Sequence, residues 1–167
     1  MTLTQAEDLH PRRLRDAFGC FGTGVTVVTA FDERGAPVGL TANSFTSVSL
    51  DPPLLLFCLD KRSRRARVFR EAQVFAVNVL HAGQEAVSAK FARLEGSDDL
   101  GTVAWETLGE APVLTDAMAV FACRAEATHD GGDHDILVGR VERLRFVPTQ
   151  DPLIYFQGRY RSVHVPD

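Results

Sequence analysis

The chain has 167 residues with 45% hydrophobic and 24% charged side chains and a net charge of −4, which suits one globular domain and argues against disorder or a fibrous repeat. Nothing approaches the run of about 18 apolar residues that a membrane helix needs, and the polar, acidic start lacks the basic and apolar regions of a secretory signal. The acidic balance also disfavours nonspecific nucleic-acid binding, which needs a broad basic surface.

In chain order, residues 1–8 read as a flexible tail, and residues 9–18 as a short amphipathic helix with Pro11 in its first turn. Gly19, Gly22 and Gly24 break that helix, and residues 25–31 are β-branched and apolar, a strand. A turn at residues 32–35 returns the chain as a hairpin partner over residues 36–41. Residues 44–50 alternate like a half-buried strand, Asp51-Pro52-Pro53 interrupts it, and residues 54–59 read as a buried strand. Ser63 is positioned to cap a helix running through residues 67–71. A strand over residues 73–80, a helix over 81–92 and a mobile polar loop over 95–101 follow. Residues 119–128 and 136–147 predict long strands joined at Gly131-Gly132, a two-residue hairpin signal, and residues 153–156 a last short strand. Seven or eight strands, mostly joined by short turns, predict an antiparallel barrel with peripheral helices rather than alternating βαβ units.

Several motifs can be set aside. Gly19-Cys20-Phe21-Gly22-Thr23-Gly24 has the wrong glycine order for a dinucleotide fingerprint, and it follows a helix and precedes a strand. There is no Walker A sequence, no G-x-S-x-G elbow and no H-E-x-x-H. Cys20, Cys58 and Cys123 are odd in number and far apart, so neither a disulfide framework nor a zinc site is expected; free thiols fit a reducing cytoplasm. Asp133-His134-Asp135 is a weak metal pattern, and no metal site is assigned.

Two segments carry chemistry. Lys61, Arg62, Arg64, Arg65, Arg67 and Arg70 place six of the 18 basic residues in ten positions, either a local anion site or a solvated helix face. The stretch Gly39 to Pro53 crowds Thr41, Asn43, Ser44, Ser47 and Ser49 between apolar strands. Small side chains there would let backbone N–H groups approach a planar heteroaromatic ring; on spacing alone, an edge strand with exposed hydroxyls reads slightly better.

The run Thr41-Ala42-Asn43-Ser44-Phe45-Thr46-Ser47-Val48-Ser49-Leu50-Asp51-Pro52-Pro53 resembles the signature of the flavin reductase-like family, the small components of two-component flavin-dependent monooxygenases. Four more segments match in order: Asp60-Lys61-Arg62-Ser63, Phe75-Ala76-Val77-Asn78-Val79-Leu80, the run from Gly132 to Val141, and Pro152-Leu153-Ile154-Tyr155 with Gly158-Arg159-Tyr160. The resemblance covers residues 14–163 and implies one domain over residues 1–167: a mainly β, antiparallel Greek-key FMN-binding split barrel with peripheral helices, forming a homodimer. It implies NADH- or NADPH-dependent reduction of FMN or FAD, with reduced flavin passed to a separate monooxygenase. The resemblance places Thr41, Ala42, Asn43, Ser44 and Phe45 at the flavin ring, and Ser47 and Val48 on the ribityl-phosphate side. It places Arg62, Ser63 and Arg64 at the phosphate, and Lys90 and Phe91 near the flavin. His134, Tyr155 and Gly158 match the nicotinamide site. Phe156-Gln157 stands where relatives carry a histidine or arginine, which weakens any cofactor contact there. Hydride transfer needs no catalytic acid or base, and none is assigned. Structural alternatives stay open: Phe45 and Phe91 as core, Asn78 as a buried residue satisfied by backbone, His134 as a strand end. Two other functions also stay open: a flavoprotein that retains FMN and reduces another acceptor, and a non-enzymatic flavin- or heme-binding module.

Overall fold

The computed structural model describes residues 10–92, 101 and 103–163; the expected N-terminal tail and nearly all of the expected loop over 95–101 lie outside them. A seven-stranded antiparallel sheet dominates the fold. It uses β2 (Thr26–Phe31), β3 (Pro37–Ala42), β4 (Thr46–Leu50), β5 (Pro53–Asp60), β6 (Val74–Val79), β9 (Ala119–Gly131) and β10 (His134–Phe146), in the order β3-β2-β6-β9-β10-β5-β4. β1 (Thr23–Gly24), β11 (Ile154–Phe156) and β12 (Arg159–Arg161) form a small second sheet, and β7 (Trp105–Leu108) pairs with β8 (Ala111–Leu114). The helices are α1 (Pro11–Phe18), α2 (Ala66–Glu71) and α3 (Glu85–Ala92), the last preceded by a 3₁₀ turn at Ala82–Gln84. No described helix is long and apolar enough to cross a membrane.

The main sheet is apolar on both faces where it is thickest, so β2 is buried from Thr26 to Ala30 instead of alternating. One face sends Val28, Leu40, Leu55, Phe57, Phe75, Val77 and Leu137 into a single cluster with Phe69 of α2. Side chains of β3 and β5, far apart in strand order, meet in that cluster, so the sheet is curled. Ser44 fastens the curl: the Cys58 N–H donates to its Oγ at 2.9 Å, and its hydroxyl donates to the Cys58 carbonyl at 3.3 Å. The opposite face packs Val27, Ala76, Val120 and Ala122 under Phe91 of α3 and Val113 and Leu114 of β8. Asn78 is fully buried and stitches three strands, donating to the Val27 carbonyl at 2.9 Å and Thr29 Oγ1 at 3.0 Å and accepting from the Leu114 N–H at 2.8 Å. The backbone-satisfied alternative holds for this residue.

Four expectations need correction. β5 is buried only at Leu55, Phe57 and Leu59; the residues between are half-exposed, because one face of this strand lies outside the core cluster. Ser63 does not cap α2. Arg65 occupies the N-cap, and Ser63 Oγ accepts the Arg65 N–H at 3.3 Å in the preceding turn. The β9–β10 hairpin turns at Gly132-Asp133, one residue later than the glycine pair suggested, since Gly131 pairs with His134 and Gly132 supplies the positive φ of 80°. The strands β7, β8 and β12 were not anticipated at all.

Candidate functional site

A cleft of about 230 Å³ opens where five elements end together. Leu40, Thr41 and Ala42 at the end of β3 continue into Asn43 and Ser44, and Cys58, Leu59 and Asp60 end β5. Ser63, Arg64 and Arg65 form the turn before α2; Phe91 and Ala92 end α3, and His134 begins β10. Strand ends leave the ladder here, so the backbone of Asn43 and Ser44 lies outside the paired strands.

The side chains that shape this cleft are fixed by tertiary bonds. Thr41 Oγ1 donates to the Ser88 carbonyl at 2.7 Å and pins α3 to β3, so this hydroxyl is not offered to the cleft. Tyr160 holds the same residue, its hydroxyl 2.8 Å from Ser88 Oγ. Phe91 is 1% exposed and lies over Gly39, where a Cβ would come within 3.1 Å of the ring, so a side chain there would require the ring to give by a few tenths of an ångström. Arg65 is buried, and its Nη1 donates to the Phe91 carbonyl at 2.9 Å.

The basic cluster is mostly paired with acids of the same surface. Lys61 contacts Asp130 and donates to the Gly132 carbonyl at 2.6 Å, Arg70 binds Asp135 at 2.5 Å, and Arg67 bridges Glu71 and Glu33. Arg62 folds back on Asp60 through Nε and Nη2, at 3.2 and 3.0 Å, with 77% of its side chain exposed. The hydrogen bonds from Arg62 hold the Asp60 carboxyl well below the usual range, at about 2, so it stays ionised near neutral pH. Ser63, Arg64 and Arg65 therefore line the cleft, and Arg62 does not.

The expected ring segment is placed unevenly. Thr41, Ala42, Asn43 and Ser44 line the cleft. Phe45 packs on Phe121 with ring centroids 5.7 Å apart, and Ser47 and Val48 lie exposed on β4, away from the cleft lining. Lys90 sits over the Phe91 ring at 5.5 Å, while Phe91 itself forms part of the wall. His134 joins the cleft, its Nδ1 2.7 Å from Asp133 Oδ1, and that contact draws the Asp133 pKa down. Tyr155 and Gly158 instead line a wider recess of about 1010 Å³ bounded by α1, with Phe18 and Phe21. Gly158 and Gln157 both have positive φ, 74° and 49°, as a tight β11–β12 hairpin requires. Asn43 lines the cleft, this recess and a smaller one beside Tyr155 and Tyr160, so the two halves of the expected site meet at that residue. The sequence does not single out Arg65, because no spacing signal in five basic residues among the seven positions 61–67 distinguishes the one that turns inward.

Among solved structures, the chain is similar to the NADH:FAD oxidoreductase SgcE6 of Streptomyces globisporus in complex with NAD and FAD fragments. The TM-score is 0.89 and the identity 39%, over 100% of this chain and 99% of that one. Residues 18–164 match the flavin reductase like domain. The chain belongs to the flavin reductase-like family. It is 39% identical over 163 residues to the reductase subunit HsaB of a flavin-dependent monooxygenase from Rhodococcus jostii, covering 97% of this chain and 82% of that protein. It is 53% identical over 138 residues to a Rhizobium meliloti protein named "Probable flavin reductase". That match takes in 81% of this chain but spans only 44% of the relative's length.

Proposed function

We propose that this protein is an NADH- or NADPH-dependent flavin reductase that supplies reduced FMN or FAD to a separate monooxygenase in the cytoplasm. The observation that carries the reading is the cleft itself. Two segments separated by β4 and β5, Thr41–Ser44 and Ser63–Arg65, line one concavity with an apolar wall and a cationic rim. Leu40, Leu59 and Phe91 underlie the cleft as buried apolar backing, and the Ser63 hydroxyl with the Arg64 guanidinium supplies charge-assisted donors for a phosphate. The residues present therefore fit a flavin nucleotide.

When bound, nicotinamide and flavin supply the hydride chemistry themselves. The chain's part is to bind and orient. Thr41 and Ala42 are held rigid by ladder pairing with Val27 and Thr26, which fixes the floor. The unpaired backbone of Asn43 and Ser44 offers donors where negative charge builds up on the ring edge. His134 lines the cleft and Tyr155 the recesses that share Asn43 with it, and this reading puts the nicotinamide at that junction. Asp60, held ionised by Arg62, is no proton donor near neutral pH, consistent with a site that aligns cofactors and transfers no proton of its own.

A homodimer accompanies this reading. Leu54, Leu56 and Cys58 present a half-exposed apolar face on β5, and Phe18, Phe21, Leu50, Leu144 and Phe146 are more than half exposed.

The test mixes purified protein, NADH or NADPH and added FMN or FAD, and follows the nicotinamide absorbance band. Oxidation that saturates with free flavin supports the reductase. A tightly yellow protein that needs another acceptor would support the retained-FMN reading, and no oxidation with any flavin would support a binding module.

A further inference from the structure

We propose that Arg65 is a positioning residue that, from the turn before α2, fixes the α3 wall of the cleft, without acting as a phosphate contact; this rests on the flavin-reductase reading. The last four carbonyls of a helix have no partner within it. In α3 the Phe91 carbonyl is one of these, and a guanidinium from another element satisfies it at 2.9 Å. Cationic donors suit helix C-termini, where carbonyl dipoles accumulate. Arg65 is 7% exposed, and a buried charge of this kind is kept only where it is hydrogen-bonded. The helix end that it holds, Phe91 and Ala92, lines the cleft, and the Phe91 ring is buried in the core beneath it. Thr41 fixes α3 one turn earlier, at the Ser88 carbonyl, so Arg65 is the fastening nearest the cleft. Gly39 closes the arrangement from below, since it lets the Phe91 ring settle against β3.

The consequence concerns which ligand feels the residue. A phosphate contact discriminates FMN from riboflavin; a wall discriminates neither. Arg65→Gln should therefore raise the dissociation constants of FMN and riboflavin by the same factor, about tenfold, read by quenching of flavin fluorescence. Amide exchange at the end of α3 should speed up in the same variant without ligand. Gly39→Ala leaves Arg65 in place but pushes the ring, so it should reproduce the equal loss. The double variant should lose little more than either single one, because both act on one wall. Arg65→Lys, which keeps the charge if Gln destabilises the fold, should give a smaller loss that is again equal for both ligands. A loss confined to FMN would make Arg65 a phosphate contact and overturn the proposal. Unchanged affinity for both ligands would overturn it too. The parent protein's failure to oxidise NADH or NADPH with any flavin would instead strike the reductase reading.

Discussion

At the scale of single residues, the turn from Asp60 to Arg65 divides its charges between two tasks. Arg62 is committed to Asp60, whereas Ser63 and Arg64 face the cleft. Charge-assisted hydrogen bonds contribute about 1.5–3 kcal/mol each. Ser63→Ala combined with Arg64→Ala should therefore weaken FMN roughly ten- to hundredfold while leaving riboflavin nearly unchanged, as fluorescence titration of both ligands would record. Arg62→Ala should change FMN affinity far less. The Arg62–Asp60 pair has its own pH signature. The Asp60 pKa is lowered in the folded protein from 3.8 to about 2, so the pair's stabilisation is present above about pH 3.8 and is lost as pH falls towards 2. The melting-temperature difference between the parent and Asp60→Asn should thus be constant at neutral pH and shrink across that acid window. The same turn marks the limit of what the sequence reveals. A resemblance picks out Arg62-Ser63-Arg64 as a unit, but in a turn without helical or strand period nothing tells which guanidinium bends towards Asp60 and which turns inward.

At the scale of elements, legibility followed periodicity and turn chemistry. β2, β6, β9 and β10 are long, β-branched or bounded by glycine turns, and each was readable to within a few residues. β7 and β8 were not, since each has four residues and Pro112 stands inside the second. β8 exists because the Asn78 side chain accepts the Leu114 N–H and Thr29 donates to the Pro112 carbonyl, tertiary bonds that no local pattern announces. Of the segment expected at the flavin, Thr41 to Ser44 line the cleft, whereas Ser47 and Val48, expected on the ribityl-phosphate side, lie on β4, which runs away along β5. One strand residue constrains the sheet strongly. A Cβ on Gly139 would fall 2.4 Å from Phe75 Cζ and 3.0 Å from Cys123 Cβ, beside a register shift in the β9–β10 ladder. Gly139→Ala should destabilise by about 1–3 kcal/mol through overpacking, seen as a lower urea midpoint, with flavin affinity retained in the folded fraction.

At the scale of the whole molecule, a two-faced sheet curls around one aromatic cluster and carries α3 and β8 on its other face, and the cleft sits where strand and helix ends meet at the rim. Among the described residues, α1, β4, β5 and β10 carry apolar side chains left outside the core. A dimer of twice the 18.3 kDa chain mass should appear by light scattering at micromolar concentration, and Leu50→Glu with Phe146→Glu should shift the particle towards one chain. The proposed reductase turns flavin over and releases it. The most direct measurement is anaerobic bleaching of the flavin absorbance band with excess NADH or NADPH and many equivalents of FMN or FAD per chain. Bleaching of all the added flavin at catalytic protein concentration is the predicted result; bleaching that stops at one equivalent per chain, or none beyond the protein-free rate, would contradict it.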